Sequence, residues 1–170
     1  SVNSVSQHLF DVTLSIPAID SEHLTLSLPG WIPGSYMVRD FSRNIVNFSA
    51  TNSKGQPIEV TLLDKQQWQL TTSGEAAEVT YQVYAFDLSV RSAYINDEYA
   101  FCNGTSVFVS VSGFEHLPCE LVIKSPASKP DWQIETTLPH LEDNRFISAD
   151  YDELIDHPIF IGECTSADFE

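Results

Sequence analysis

Alternation of apolar with polar residues, cut at short intervals by Gly, Pro, Asn or Ser, constrains this chain more than any other feature. Phe10, Val12, Leu14 and Ile16 alternate with polar neighbours and stop at Pro17. Leu24, Leu26 and Leu28 repeat the pattern up to Pro29-Gly30, and Val46, Phe48 and Ala50 lead into Asn52-Ser53-Lys54-Gly55. Ile58, Val60 and Leu62 follow, then Trp68 and Leu70 before Thr72-Ser73-Gly74. Val79, Tyr81, Val83 and Ala85 form a further run, as do Val107, Val109 and Val111, with shorter ones at Cys119–Ile123, Trp132–Ile134 and around Phe146. In a strand successive side chains point to opposite faces, so a period of two collects the apolar residues on one side. About ten short strands so punctuated predict an all-β chain, an antiparallel β-sandwich whose strands each pack one face inward. A short C-terminal helical turn is expected where Asp150 caps and Glu153 completes a capping box, ending before Pro158.

A length of 170 residues with 42% hydrophobic content supports a core of its own. Repeats, low-complexity tracts and linkers are missing from the sequence, so residues 1–170 read as a single domain. Two long segments break the alternation, and both are expected as irregular loops. Residues 28–44 hold two Pro-Gly pairs, of which Pro33-Gly34 suits a type II turn because glycine supplies the positive φ at its third position. Residues 87–105 are again aromatic and too long for a simple hairpin turn. Arg39, Arg43 and Arg91 fall in these two segments, which marks them as the working surface.

The charge balance sets limits on partners. With 24 Asp+Glu against 8 Lys+Arg, the net charge of −16 repels nucleic-acid phosphates and anionic membranes. Nucleic acid is therefore excluded as a partner, and no apolar run approaches the length of a membrane span. Cys102, Cys119 and Cys164 are an odd number without a C-x-x-C pair, which reads as free thiols in a reducing compartment, the cytoplasm ahead of the periplasm.

Catalytic constellations are not legible. The histidines His8, His23, His116, His140 and His157 are isolated, and the one close pair, His116 with Cys119, is split by Pro118. Zinc needs convergent imidazole, thiolate or carboxylate ligands, so no metal ligand is assigned. Gly104-Thr105-Ser106 has the first half of a nucleophile turn but runs into a strand pattern without the second glycine. Phosphate-binding glycine loops do not occur. The acidic group Asp150, Asp152, Glu153 and Asp156 lacks the central glycine of a calcium loop and reads as helix capping. No catalytic residue and no bound cofactor is assigned to this chain.

Arg39 precedes Asp40, and Arg91 lies four residues after Asp87. Two readings fit: half-buried arginine–carboxylate pairs that fix the loops, or guanidinium groups that face a partner domain or a substrate carboxylate. Tyr36, Tyr94 and Tyr99 divide in the same way between core packing and ligand contact. Trp31, Trp68 and Trp132 fit either a core or a sugar-stacking surface, so a self-standing β-sandwich module that binds carbohydrate or protein stands as the alternative function.

The irregular segments also carry a resemblance. Residues 28–45, LPGWIPGSYMVRDFSRNI, resemble the hallmark of the N-terminal domain of the glycyl aminopeptidase family of zinc metallopeptidases. Residues 81–94, YQVYAFDLSVRSAY, with 101–106, FCNGTS, resemble its second signature, and 151–162, YDELIDHPIFIG, the segment that closes the domain. The matches follow the family order and span nearly the whole chain. The resemblance implies a non-catalytic N-terminal domain of a longer peptidase, with a thermolysin-like catalytic domain after Glu170 and often a PDZ module beyond it. Zinc and its H-E-x-x-H helix belong to that catalytic domain; the motif is absent from these residues. The implied activity is removal of N-terminal residues from peptides, small ones favoured. On this reading the partners are the chain's own downstream catalytic domain and the peptide substrate. Candidate cleft or interdomain contacts are Trp31, Tyr36, Arg39, Asp40, Arg91, Tyr94, Asp97, Glu98 and Asn103. Asp97, Glu98 and Tyr94 suit a substrate ammonium, while Arg39 and Arg91 brace loops or pair across the interface.

Overall fold

The computed structural model describes residues 1–32 and 35–165, so the turn expected at Pro33-Gly34 lies outside the described residues. In chain order the strands are β1 (Val2–Ser4), β2 (Leu9–Ile16), β3 (His23–Ser27), β4 (Ile45–Asn52), β5 (Pro57–Ile58), β6 (Val60–Asp64), β7 (Gln67–Thr71) and β8 (Ala77–Tyr84). They continue as β9 (Ala93–Ile95), β10 (Tyr99–Cys102), β11 (Ser110–Val111), β12 (Cys119–Val122), β13 (Gln133–Thr136), β14 (Arg145–Ser148) and β15 (Ile159–Gly162). One short helix, α1 (Tyr151–Asp156), precedes the last strand. Every described pairing is antiparallel, which bears out the all-β expectation.

Two sheets form the sandwich, ordered β1-β2-β8-β4-β5 and β11-β3-β7-β6. Alternation buries Phe10, Ile16, Val79, Tyr81 and Val83 on the first and Leu24, Leu26, Trp68 and Leu70 on the second. The two inner faces meet at Phe48, whose ring stacks on Trp68 at 4.6 Å and lies 5.4 Å from Tyr81. Phe48 reaches that position through a β-bulge. Asn47 adopts φ 55°, tolerable for asparagine, and its side chain donates to Gln82 Oε1 at 2.7 Å. The extra residue shifts the register between Val46 and Ser49, so Ile45 turns inward and Val46 is 40% exposed. The simple Val46–Phe48–Ala50 row expected from periodicity is therefore broken at its first member.

A third sheet, β13-β15-β10-β9, buries Ala93, Ile95, Ala100, Cys102, Ile159 and Ile161, and β12 pairs with β14 as a separate ribbon. Residues 87–105 thus hold a short hairpin, β9–β10, between a turn-rich loop and a 3-10 turn at Gly104–Ser106. Only Ser110–Val111 of the expected 107–111 strand pairs in a sheet. Val107 and Val109 are instead held by the Tyr81 hydroxyl, which donates to the Val107 carbonyl at 2.8 Å and accepts from the Val109 N–H at 3.2 Å. Helix α1 starts as expected, with Asp150 accepting from the Glu153 N–H at 2.8 Å. The Glu153 carboxylate reaches one residue beyond the capping box, to the Ala149 N–H. Glycine at 104 is required by the approach of this helix: a Cβ there would lie 2.7 Å from Ile155 Cα. Among the described residues no helix is long and apolar enough to cross a membrane.

Two outcomes follow. Tyr81→Phe orphans the Val109 N–H and the Val107 carbonyl in the core. It should lower stability by about 1–3 kcal/mol, read as a lower urea midpoint at unchanged m-value. Burial also pushes the Cys102 thiol up from its ordinary 9.0 to about 12, so the folded state favours the neutral form. That stabilisation is whole below pH 9 and is lost as pH rises towards 12. A Cys102→Ala variant should lose stability less steeply than the parent between about pH 9 and 10, below the range where ordinary tyrosines ionise.

Candidate functional site

The first irregular segment closes on itself. The Arg39 N–H donates to the Gly30 carbonyl at 2.7 Å, the Trp31 indole N–H to the Ser35 carbonyl at 2.5 Å, and the Ser35 N–H to the Ile32 carbonyl at 3.0 Å. These bonds hold an apolar tip in solvent: Trp31 is half exposed, while Tyr36, Met37 and Val38 are largely or fully exposed. Asp40 accepts from the Ser42 hydroxyl at 3.0 Å. Asp40 does not pair with Arg39, whose Nε is buried without a partner among the described residues.

The second segment is ordered by its own short hydrogen bonds. Asn96 Oδ1 accepts from the backbone N–H groups of Glu98 and Tyr99 at 3.0 and 2.8 Å, an Asx turn that leaves Asp97 and Glu98 exposed at the tip of the β9–β10 hairpin. Arg91 is exposed, its N–H donating to Ser89 Oγ at 3.2 Å. Asn103 spends its carbonyl oxygen as a cap, accepting from the Thr105 N–H at 3.1 Å, so its amide donors are what it can offer a ligand. Among the described residues the ion pairs are Lys54–Glu75 and Arg145 with Glu120 and Glu142. The loop-bracing arginine–carboxylate pairs are therefore not formed at Arg39–Asp40 or Arg91–Asp87.

Tyr94 belongs to a larger assembly that reading the sequence by segments missed. On the outward face of the third sheet, Tyr94 stands across from Phe101, and Phe101 across from Phe160. Ring contacts run from His8 to Phe86 at 4.2 Å, Phe86 to Tyr94 at 5.4 Å, Tyr94 to Tyr99 at 5.6 Å and Tyr99 to Phe160 at 5.5 Å. His8 enters the row through a backbone at φ 55°, and its Nδ1 lies 2.5 Å from the Ile95 carbonyl, an acceptor that requires the proton on Nδ1. The signal for this row was available in β15, where Phe160 is an apolar residue between two inward isoleucines.

The candidates therefore divide. Tyr94, Asp97, Glu98 and Asn103 lie on or beside one hairpin, and Asp97 also lines a shallow depression with Val5, His8, Asn96 and Lys129. Trp31, Tyr36, Arg39 and Asp40 form a separate loop, and no hydrogen bond, ion pair or ring contact joins it to the hairpin among the described residues. No three His, Cys, Asp or Glu side chains converge as a metal site among the described residues. Among the described residues, the side chains present do not fit a zinc centre.

Comparison with known proteins gives this surface its context. No functionally curated protein matches the chain. An aminopeptidase N family protein from Idiomarina loihiensis is 40% identical and superposes with a TM-score of 0.95, over 99% of this chain and 29% of its own. An M1 zinc metallopeptidase from Deinococcus radiodurans is 8% identical over 91% of this chain and 37% of its own, at a TM-score of 0.47, a likeness too low to bear on function. The chain thus spans less than a third of the length of the Idiomarina relative. Residues 1–163 match the peptidase M61 N-terminal domain, and the chain belongs to that family.

Proposed function

We propose that this chain is the non-catalytic N-terminal domain of a zinc-dependent aminopeptidase of the glycyl aminopeptidase type, which docks on a catalytic domain of the same polypeptide and shapes its substrate cleft. The observation that carries the reading is the family match over residues 1–163, joined to a solved relative in which the matching region is only 29% of an aminopeptidase family chain. In this arrangement the zinc, its ligands and the water it activates belong to the catalytic domain. This domain contributes walls and charge. An aminopeptidase must hold a free ammonium and block the substrate beyond it, and the exposed carboxylates Asp97 and Glu98 beside Tyr94 suit that task. Arg39 and Arg91, outside any ion pair among the described residues, are available to carboxylates across an interface. Cytoplasmic residence belongs to the same proposal, supported by three cysteines that are all free.

A carbohydrate-binding module has weaker support. Trp68 and Trp132 are 7% and 5% exposed core residues, which leaves Trp31 alone of the three for stacking on a sugar.

The test is kinetic. The full-length polypeptide should hydrolyse glycyl and alanyl p-nitroanilides, lose that activity to a chelator and regain it with zinc. Failure on all three counts removes the reading. Within an active enzyme, Asp97→Asn with Glu98→Gln should raise KM by a few-fold with little change in kcat, the roughly 0.2–1 kcal/mol expected of exposed charge pairs. Arg91→Ala and Tyr94→Ala should each lower turnover or stability; unchanged values for both would separate these residues from the cleft and the interface.

A further inference from the structure

We infer that the aromatic row Phe86, Tyr94, Tyr99 and Phe160, on the outer face of sheet β13-β15-β10-β9, is the surface on which the remainder of a family polypeptide, its metallopeptidase portion, is seated. The inference rests on the proposed function and deepens it, because it assigns the interface to one sheet face, on which Tyr94 and Tyr99 of the second segment join Phe86 and Phe160.

The row is a built feature. Its members come from the loop after β8 and from β9, β10 and β15, aligned by the pairings Tyr94–Phe101 and Phe101–Phe160. Gly162 stands opposite Tyr99, and a Cβ there would lie 2.9 Å from the Phe160 ring and 3.0 Å from Tyr99 Cβ, so glycine permits these two rings to close. Phe86 is 51% exposed and Tyr94, Tyr99 and Phe160 are half-buried, while Leu88 and Val90, which follow Phe86 along the chain, are 74% and 75% exposed. A contiguous apolar surface of this kind is unusual on a free-standing domain and marks an interaction site.

The packing of the rings selects the kind of partner. Phe86 lies on Tyr94 with an interplanar angle of 18°, and Tyr99 on Phe160 at 20°. Each ring of the row thus has a neighbouring ring against it, and Tyr94 and Tyr99 each have one on both sides. A sugar or a nucleobase needs an open ring face. An apolar protein surface needs no open ring face and fits a row of packed aromatic side chains instead.

Two observations choose among protein partners. A second copy would bring a second charge of −16 to the surface, which opposes self-association. In the Idiomarina relative this domain accounts for 29% of the chain, so a family polypeptide has a large remainder to seat. The family match runs to residue 163, directly after β15, whose Phe160 is a member of the row and whose Gly162 pairs with Tyr99. The remainder of such a polypeptide follows in sequence the strand that carries Phe160.

Hydroxyl-radical footprinting, applied to the 170-residue chain and to the full-length polypeptide that carries it, tests this directly. Phe86, Tyr94, Tyr99 and Phe160 should be labelled at least threefold more slowly in the full-length polypeptide. Leu62 and Leu63 on β6 should be labelled at the same rate in both. Equal labelling of the row in the two forms overturns the inference. So does protection that already appears in the 170-residue chain and grows with its concentration, the mark of a second copy. Protection without any amidase activity supports the docking and removes the peptidase reading. Activity with an unprotected row leaves the peptidase reading in place and overturns the docking.

Discussion

The hydroxyl of Tyr81 is the point on which the sandwich and its neighbouring layer depend together. Tyr81 stands in the middle of β8, the strand that carries both β2 and β4, and its ring lies under Phe48. Its hydroxyl is fully buried and both donates and accepts, to the Val107 carbonyl and from the Val109 N–H. That segment has left its own sheet pairing, so without the tyrosine two backbone groups would be desolvated with nothing to replace water. Tyr151 repeats the device from the other side, donating to the Phe108 carbonyl at 2.7 Å. Between them the two hydroxyls hold residues 107–109 in the core and bring the 3-10 turn at Gly104 against helix α1. The position of Asn103, which caps that turn, follows from the clamp.

Much of the fold was legible in the sequence because a strand with one buried face must alternate. β2, β3, β7 and β8 follow the expected apolar rows, and the helix lies where Asp150 and Pro158 bracket it. What escaped is what alternation does not encode. The bulge at Asn47 reverses parity within β4 through a single residue in the left-handed region, and no apolar pattern records a backbone angle. Val107 and Val109 alternate like a strand, yet their partners are a side-chain hydroxyl and tertiary packing.

The candidate site shows the same divide. The two irregular segments stand out in composition, and one is an exposed apolar loop, as its aromatics and Pro-Gly pairs suggest. The other segment folds in part as a hairpin, because Ala93, Ile95, Ala100 and Cys102 find an inward face that only β15 completes. The aromatic row is assembled from residues 86, 94, 99 and 160, so its existence is a property of strand order and not of any window of sequence. Pairing of Arg39 with Asp40 and of Arg91 with Asp87 was suggested by nearness along the chain. The geometry leaves those groups apart, because nearness in sequence does not aim a side chain.

The strand order β13-β15-β10-β9 has a consequence for how the chain comes to be made. Hairpin β9–β10 is synthesised early, yet its free edge pairs with β15, the last strand of the domain. Residues 103–158 must leave the ribosome first, a delay on the order of 3–10 s at ordinary elongation rates. During that interval the edge of β10 and the underside of Ala100 and Cys102 lack their cover, and contacts so distant in sequence form slowly once available. In a nascent chain of this topology the layer that completes last, once β15 has emerged, is therefore the one that carries the aromatic row.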